Sequence, residues 1–292
     1  LTHSTHTAAD IQALIDTYDI SITPRDYQIA AFKFALEYDR GMILSPTASG
    51  KSLIIYMLCR HYMNMINNNI LIIVPTTSLV EQLYKDFKDY GFDVETNVSR
   101  KYHGYDIDED KRIVISTWQS LYKMPKKFFE DYGAVIGDEA HLFKAVSLTK
   151  IMTKLTDCKY RIGLTGTLDD SKTHKLVLQG LFGTVNRVVS TKQLIDKKQL
   201  AQLKVMCLNL KYPEVEAKKV YGVKYFEELE FLTQNTARNK YIRNLALALK
   251  GNTLLLFQLV EKHGEILFNL IKEKADPKRK VFFVYGGTET DD

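Results

Sequence analysis

The segment 45–52, Ser-Pro-Thr-Ala-Ser-Gly-Lys-Ser, separates a short apolar run at 40–44 from a run at 52–65 with apolar residues at helical spacing. This pattern predicts a strand, a loop and a helix in direct succession. Such a loop presents free backbone N–H groups at the positive end of a helix dipole, where a phosphate group is stabilised. The segment therefore predicts an α/β fold with a phosphate-binding loop.

Three residues of this loop have the chemistry that a nucleoside triphosphate requires. Gly50 lets the backbone approach closely, Lys51 supplies a charge to the β- and γ-phosphates, and Ser52 offers a hydroxyl to Mg²⁺. Ser45 departs from the usual pattern, because it occupies the position of the first glycine. An ordinary strand–turn–helix junction also contains Gly-Lys-Ser by chance, so the rest of the sequence has to decide between the two.

A second apolar run, 133–137, ends at Asp138-Glu139-Ala140-His141. In open α/β sheets, ligands bind at the carboxyl ends of the strands. Asp138 can hold Mg²⁺ there, and Glu139 can orient and deprotonate an attacking water. A solvated acidic turn is the alternative for an isolated Asp-Glu pair, but the phosphate loop upstream favours the catalytic interpretation.

Four further segments follow in an order that resembles the motifs of superfamily 2 helicases and translocases. They are Pro24–Gln28, which is similar to the adenine-reading segment, Ile73–Gln82, similar to motif Ia, Ser116–Leu121, similar to the next backbone-contacting motif, and Leu164–Thr167, similar to motif III. Six motifs in family order make the resemblance specific. It implies a motor that hydrolyses ATP with Mg²⁺ and moves along nucleic acid.

The resemblance also implies roles for individual residues. The expected ATP-binding residues are Arg25, Gln28, Pro46, Thr47, Ala48, Ser49, Gly50, Lys51 and Ser52; the catalytic residues are Lys51, Asp138 and Glu139; Mg²⁺ is held by Ser52 and Asp138; His141, Thr165 and Thr167 couple the two sites; and Pro75, Thr76, Thr77, Gln82, Thr117 and Gln119 bind nucleic acid. Three of these roles have a plain alternative. Arg25 could be an ordinary surface arginine, His141 a structural histidine, and Thr165 and Thr167 part of a simple turn at a strand end.

Alternating strands and helices predict a parallel sheet flanked by helices, which the resemblance identifies as a RecA-like P-loop domain followed by the start of a second one. The expected divisions are an N-terminal segment or linker at 1–21, the first RecA-like domain at 22–189, a linker with bridging helices at 190–235, and an incomplete second domain at 236–292. Strands are expected at 253–257 and 280–285. Motifs V and VI of the family have no match, so we expect nucleotide binding with weak turnover and no strand separation.

Composition sets broad limits on location and partners. The net charge of +5 suits an anionic partner, although many proteins that bind no nucleic acid have a similar value. Cys59, Cys158 and Cys207 form no metal pattern, which indicates free thiols in a reducing compartment. No membrane span or secretory signal is evident, so we expect a cytoplasmic protein, in the host cytoplasm if it is phage-encoded, and a monomer is favoured.

Within the superfamily, the chain most resembles recombination helicases of bacteriophages. That resemblance implies an ATP-dependent DNA helicase or translocase that remodels branched DNA, such as forks and recombination intermediates, with branched or single-stranded DNA preferred over RNA. Two alternatives remain. The chain could be the motor subunit of a restriction-type enzyme, or a non-catalytic nucleic-acid-binding module; intact Lys51, Asp138 and Glu139 argue against the latter.

Overall fold

The structure is a computed structural model, and it describes residues 6–102, 107–108, 110–142, 145–168 and 172–286. The chain divides into two compact units, Leu1–Leu203 and Lys204–Asp292. The boundary between them falls inside the segment 190–235 that the sequence suggests as a linker.

Unit 1 contains a seven-stranded sheet, and every strand pair in it is parallel. The strands are β1 (Arg40–Leu44), β2 (Asn69–Val74), β3 (Val98–Lys101), β4 (Ile113–Thr117), β5 (Tyr132–Gly137), β6 (Tyr160–Thr165) and β7 (Thr184–Arg187), in the spatial order β3-β4-β2-β5-β6-β1-β7. The predicted parallel sheet is confirmed. The two outermost strands, β3 and β7, were not expected from the sequence.

Helices cover both faces of this sheet. They are α1 (Ala8–Asp16), α2 (Asp26–Glu37), α3 (Lys51–Met65), α4 (Thr77–Asp89), α5 (Val94–Asn97), α6 (Trp118–Leu121), α7 (Ala145–Lys154), α8 (Lys172–Phe182) and α9 (Thr191–Asp196), with short 3₁₀ turns at Lys126–Phe129 and Ala140–Leu142. Strand side chains alternate between the faces. Ile70 and Ile72 enter a core with α1–α4, while Leu71 and Ile73 enter a core with α7 and α8.

The first helix belongs to the core of unit 1. Ile11, Ile15 and Tyr18 are buried in the same cluster as residues of α2 and α3. The guanidinium of Arg60 on α3 donates to the carbonyl of Tyr18 at 2.7 Å. The segment 1–21, expected as an N-terminal segment or linker, therefore contains a helix that packs on the domain.

Unit 2 is helical in the described residues. It contains α10 (Glu214–Lys218), α11 (Tyr225–Gln234), α12 (Thr236–Ala248), a π-helical turn at Val260–Gly264 and α13 (Glu265–Lys274). The segments 253–257 and 280–285, expected as strands, form no strand pairing. The rings of Phe257 and Phe283 nevertheless stack 5.3 Å apart. An isolated pair of strands has marginal stability in water, and the described part of unit 2 contains no third strand that would stabilise such a pair.

Across the described part of the chain, every helix is too short or too polar to cross a bilayer.

Candidate functional site

Three of the predicted segments meet at the carboxyl edge of the sheet. Strand β6 lies between β1 and β5, with Leu44 opposite Thr165 and Gly137 opposite Gly163. The loop after β1, the acidic turn after β5 and the turn after β6 are therefore neighbours. This is the edge at which α/β sheets bind their ligands.

The phosphate loop is held from inside by two serines. The hydroxyl oxygens of Ser45 and Ser49 lie 2.7 Å apart, and both residues are fully buried. The backbone N–H of Ser45 also donates to the carbonyl of Thr165 at 2.9 Å. The departure from the usual pattern at Ser45 thus has a structural role, because its side chain is the hydrogen-bond partner of Ser49.

Two residues of this loop have left-handed backbone conformations. Gly50 has φ +75° and Ala48 has φ +62°. Glycine adopts this region without strain, whereas alanine has a Cβ that crowds the backbone there. A Cβ on Gly50 would also lie 2.5 Å from Nε2 of Gln28. The loop therefore requires glycine at position 50 and tolerates alanine at position 48 at some cost.

The start of α3 fits a phosphate group. Gly50 precedes α3 and provides no side-chain cap. Within the described residues, no hydrogen-bond acceptor is present for the backbone N–H groups of Thr47, Ala48, Gly50, Lys51 and Ser52. Free amides at a helix N-terminus, next to a lysine, are what an anionic ligand needs.

The side chain of Gln28 is hydrogen-bonded to the phosphate loop. Its Nε2 donates to the carbonyls of Ser49 and Gly50 at 3.1 and 3.0 Å, and its Oε1 accepts from the N–H of Arg25 at 2.8 Å. Tyr27, which the sequence did not single out, donates its hydroxyl to the carbonyl of Ser49 at 2.8 Å and accepts from Arg25 at 3.0 Å. Arg25 and Gln28 are thus brought to the loop, and adenine recognition by them stays a prediction.

The acidic turn faces the lysine of the loop. Lys51 Nζ lies 2.9 Å from Oε1 of Glu139. Glu139 has φ +48°, a strained conformation for a residue other than glycine, and its N–H donates to Oδ1 of Asp138 at 2.9 Å. Such outliers often occur at functional sites, where the surroundings hold them in place.

Asp138 is the most perturbed carboxyl group of this edge. It is 6% exposed. Burial, followed by the charge of Glu139, raises its pKa to about 6, against the opposing effects of Lys51 and of the N–H of Glu139. A buried carboxylate beside a lysine and a second carboxylate is suited to binding a divalent cation, since the cation replaces the water that burial removes.

The three residues expected to couple the sites form one chain of contacts. Nδ1 of His141 lies 2.6 Å from Oγ1 of Thr165 and 3.4 Å from Oε2 of Glu139. Oγ1 of Thr165 donates to the carbonyl of Thr167 at 2.6 Å. Because the Thr165 hydroxyl has a single proton, it accepts from Nδ1–H of His141, and this fixes the histidine tautomer. The arrangement connects Glu139 to the turn after β6.

Ser52, the expected partner of Asp138 in metal binding, makes its hydrogen bond elsewhere. Its Oγ lies 2.7 Å from the hydroxyl of Tyr90. Tyr90 is the residue that caps the C-terminus of α4. Asp138 lies at the carboxyl edge of the sheet, and its role in metal binding stays a prediction. The Ser52 hydroxyl contacts the end of a helix that the sequence did not connect to the phosphate loop.

The candidate nucleic-acid residues lie on the same edge, after β2 and β4. Val74 pairs with Thr117, which brings Pro75 beside the following segment, and Nε2 of Gln119 donates to the carbonyl of Pro75 at 3.3 Å. The residues with exposed side chains are Thr76, Thr77, Gln82 and Gln119, whereas Pro75 and Thr117 are buried. Thr76 Oγ1 accepts from the N–H of Leu79 at 3.3 Å and caps α4.

Strand β2 joins the two halves of this edge. It pairs with β5 on one side and β4 on the other. The N–H of Asp138 donates to the carbonyl of Ile73 at 2.9 Å, two residues before Pro75. The acidic turn and the first candidate nucleic-acid segment are thus directly hydrogen-bonded.

Comparison with known proteins gives consistent matches. Residues 21–170 match the family described as type III restriction enzyme, res subunit. The ATP-dependent DNA helicase uvsW of Enterobacteria phage T4 is 35% identical over 277 residues, which cover 92% of this chain and 54% of that protein. The DNA 3'-5' translocase XPB2 of Sulfurisphaera tokodaii is 29% identical over 202 residues, 68% of this chain and 43% of that protein.

A solved structure supports the same relationship. The crystal structure of T4 UvsW matches with a TM-score of 0.60 at 32% identity, over 94% of this chain and 56% of that one. The chain spans about half the length of these relatives.

Proposed function

The chain belongs to the superfamily 2 helicases and has the RecA-like fold of that family, and from this premise we propose that it binds ATP with Mg²⁺ and couples hydrolysis to movement along DNA. ATP would bind the loop 45–52 at the start of α3. Nucleic acid would lie along the segments after β2 and β4. The two sites would then share one edge of the sheet.

The observation that carries the proposal is the contact chain from Lys51 through Glu139 and His141 to Thr165. Lys51 would bind the β- and γ-phosphates, and Asp138 would hold Mg²⁺ together with Ser52. The metal ion would neutralise phosphate charge. Glu139 lies beside the lysine, and this supports a role in which it takes the proton of a water near the γ-phosphate. A movement of Glu139 would change its contact with His141, and His141 would pass that change to the turn at Thr165 and Thr167.

DNA is the nucleic acid that we propose as the partner. The two relatives above are named as a DNA helicase and a DNA translocase. We extend this to branched DNA, such as forks and recombination intermediates, on the resemblance to phage recombination helicases. Activity would take place in the cytoplasm, of a host cell if the chain is phage-encoded.

Movement on duplex DNA without strand separation is a second candidate. The match to the restriction-enzyme family and the relative named as a translocase favour it. The two candidates share the ATP site and differ in the DNA product. A forked duplex with a labelled strand separates them, because a helicase releases the strand and a pure translocase does not.

The proposal is tested by ATP hydrolysis with single-stranded, forked and duplex DNA, and with RNA of matched length. Lys51→Ala and Glu139→Gln are the key variants. Turnover that DNA stimulates, however slow, and that both variants abolish would support the proposal. Nucleotide binding that Lys51→Ala leaves intact would contradict it, because the loop would then not be the phosphate site.

A further inference from the structure

A lysine of α7 is bound to the tyrosine that follows α6. Lys150 Nζ lies 3.0 Å from the hydroxyl oxygen of Tyr122 and 5.1 Å from the centre of its ring. Tyr122 caps the C-terminus of α6, directly after the candidate nucleic-acid segment that follows β4. The contact therefore joins this segment to α7.

The direction of the hydrogen bond follows from the chemistry of the two groups. A lysine ammonium group donates hydrogen bonds and accepts none, so Lys150 donates and the Tyr122 oxygen accepts. The proton of the tyrosine hydroxyl is left for another acceptor, and the described residues provide none. The hydrogen bond from Lys150 also lowers the pKa of Tyr122, which makes the hydroxyl a stronger donor. Lys150 and Tyr122 together thus offer two donors to an anion.

A second lysine of α7 fixes the backbone at this position. Lys154 Nζ donates to the carbonyls of Tyr122 and Met124 at 3.2 and 2.7 Å. Both bonds go to main-chain atoms, so they tie the turn after α6 to the end of α7. Tyr122 and Lys150 are therefore already ordered, which reduces the entropy lost when a ligand binds them.

The surface around Tyr122 is basic. Its four exposed lysines are Lys123, Lys126, Lys127 and Lys150. Over the ranges that the structure describes, no carboxylate forms an ion pair with any of them. By contrast, the exposed Lys159 lies 3.3 Å from Oδ2 of Asp39. Unneutralised lysines on one surface favour an anionic chain such as a nucleic-acid backbone.

We propose that Tyr122 and Lys150 together bind one phosphate of the DNA backbone. The three exposed lysines that follow Tyr122 in the chain would continue the contact along the same strand. The inference rests on the proposed function, because it takes DNA as the partner and the segment after β4 as part of its path. It adds a direction to that path, since α7 covers the face of the sheet to which Leu71 and Ile73 point. From the carboxyl edge, the DNA would continue over this face.

The test measures DNA affinity by fluorescence anisotropy at a series of salt concentrations. A lysine that contacts a phosphate displaces counterions, so its removal makes the affinity less dependent on salt. For Lys150→Gln we expect about two- to tenfold weaker binding at low salt, and a slope of log affinity against log salt reduced by about 1.

Tyr122→Phe separates the hydroxyl from the charge. The variant keeps the ring beside Lys150 and loses only the donor to phosphate. We expect about two- to tenfold weaker binding, the size of one hydrogen bond, with an unchanged salt slope because no charge is removed. Thermal unfolding of each variant confirms that it is folded.

Lys159 and Tyr160 provide a matched control. Their side chains make the same kind of contact, with Nζ 3.3 Å from the hydroxyl oxygen and 4.9 Å from the ring centre. Tyr160 lies at the amino end of β6, whereas the candidate sites lie at the carboxyl edge. Lys159→Gln and Tyr160→Phe should therefore leave both the affinity and the salt slope at their wild-type values.

Acetylation of lysines in the wild-type chain locates the contact without any substitution. Bound DNA should protect Lys150 and the three lysines that follow Tyr122 from the reagent. Lys159 should react equally with and without DNA. Mass spectrometry of the digested chain measures the protection at each lysine.

Three outcomes would overturn the inference. They are wild-type affinity and slope in Lys150→Gln, wild-type affinity in Tyr122→Phe, and no protection of Lys150 by DNA. In each of these cases the wild-type chain still binds DNA, and the proposed function stands. A wild-type chain that binds no DNA even at low salt would instead contradict the proposed function, so the two failures are distinguishable.

Discussion

Lys51 and Glu139 form an ion pair across the edge of the sheet, with Nζ and Oε1 2.9 Å apart. The side chain expected to bind phosphate is thus neutralised by the side chain expected to activate water. A bound triphosphate has to draw the ammonium group away from the carboxylate. Glu139 would therefore compete with phosphate for the Lys51 ammonium group while a nucleotide binds. Once the nucleotide is bound, the two residues would act together in hydrolysis.

Replacing Glu139 by glutamine should raise nucleotide affinity by a few-fold and lower turnover by about 100-fold or more, because the variant frees Lys51 and removes the general base. Equilibrium titration with a fluorescent ATP analogue and steady-state hydrolysis measure the two effects. Lys51→Ala serves as the comparison, since it should lose both. Weaker binding in Glu139→Gln would show that the ion pair does not compete with phosphate.

Asp138→Asn should stabilise the metal-free protein at neutral pH. The folded-state pKa of Asp138, about 6, lies above its ordinary value of 3.8, so the folded chain holds more protons than the unfolded one between these values. Stability therefore falls as pH rises through this window, and the asparagine variant avoids the loss. We expect a gain of at most about 3 kcal/mol above pH 6. Urea unfolding in EDTA from pH 4 to 8 measures it, and a gain independent of pH would contradict the assignment.

The two left-handed residues of the loop should respond in opposite directions to a change of side chain. Ala48→Gly removes a Cβ at φ +62° and should be neutral or stabilising by up to about 1 kcal/mol. Gly50→Ala should destabilise by more, because the new Cβ would also collide with Gln28. Chemical unfolding of both variants measures the difference, and equal effects would argue against backbone strain as the cause.

The buried serine pair should behave as one unit. Ser45→Ala leaves the Ser49 hydroxyl buried without a partner, at a cost of about 1–3 kcal/mol. The double variant Ser45→Ala with Ser49→Ala should cost less than the sum of the single changes. A double-mutant cycle from urea unfolding gives the coupling free energy, and strict additivity would mean that the two hydroxyls do not support each other.

Gln119→Ala should weaken DNA binding without affecting nucleotide binding. Its side chain is exposed and donates to the carbonyl of Pro75, so it connects the segment after β4 to the segment after β2. The loss should be similar for unrelated DNA sequences, since contacts to the backbone read no bases. Fluorescence anisotropy with two DNA sequences measures it, and Gln12→Ala, an exposed glutamine of α1 outside the candidate nucleic-acid segments, provides the control. A loss confined to one sequence would indicate base recognition instead.

Much of the candidate site at the carboxyl edge of the sheet could be predicted from the sequence, because its segments follow local patterns. The segments after β1, β5 and β6 each follow an apolar run, and parallel strands bring their carboxyl ends together. The sequence therefore predicts that Lys51 and Glu139 lie close together, although the register of β1 on β6 and of β6 on β5 had to come from the structure.

The missed contacts join residues that share no local pattern. Tyr90 is 38 positions from Ser52 in the chain, and only the packing of α3 on α4 brings them together. The burial of Ile11 in the main core depends likewise on tertiary packing. The structural role of Ser45 could have been predicted from the sequence, because a buried serine in the position of a glycine needs a hydrogen-bond partner.

The hydrogen bond from Asp138 to Ile73 has a mechanical consequence. It lies in the ladder between two adjacent strands, so a displacement at the acidic turn is transmitted to the start of Pro75 with no compliant segment between them. A continuous hydrogen-bonded ladder thus connects the two candidate sites. Any movement of the proposed motor would have to arise in segments outside this ladder, while the ladder itself would keep the spacing of the two sites constant.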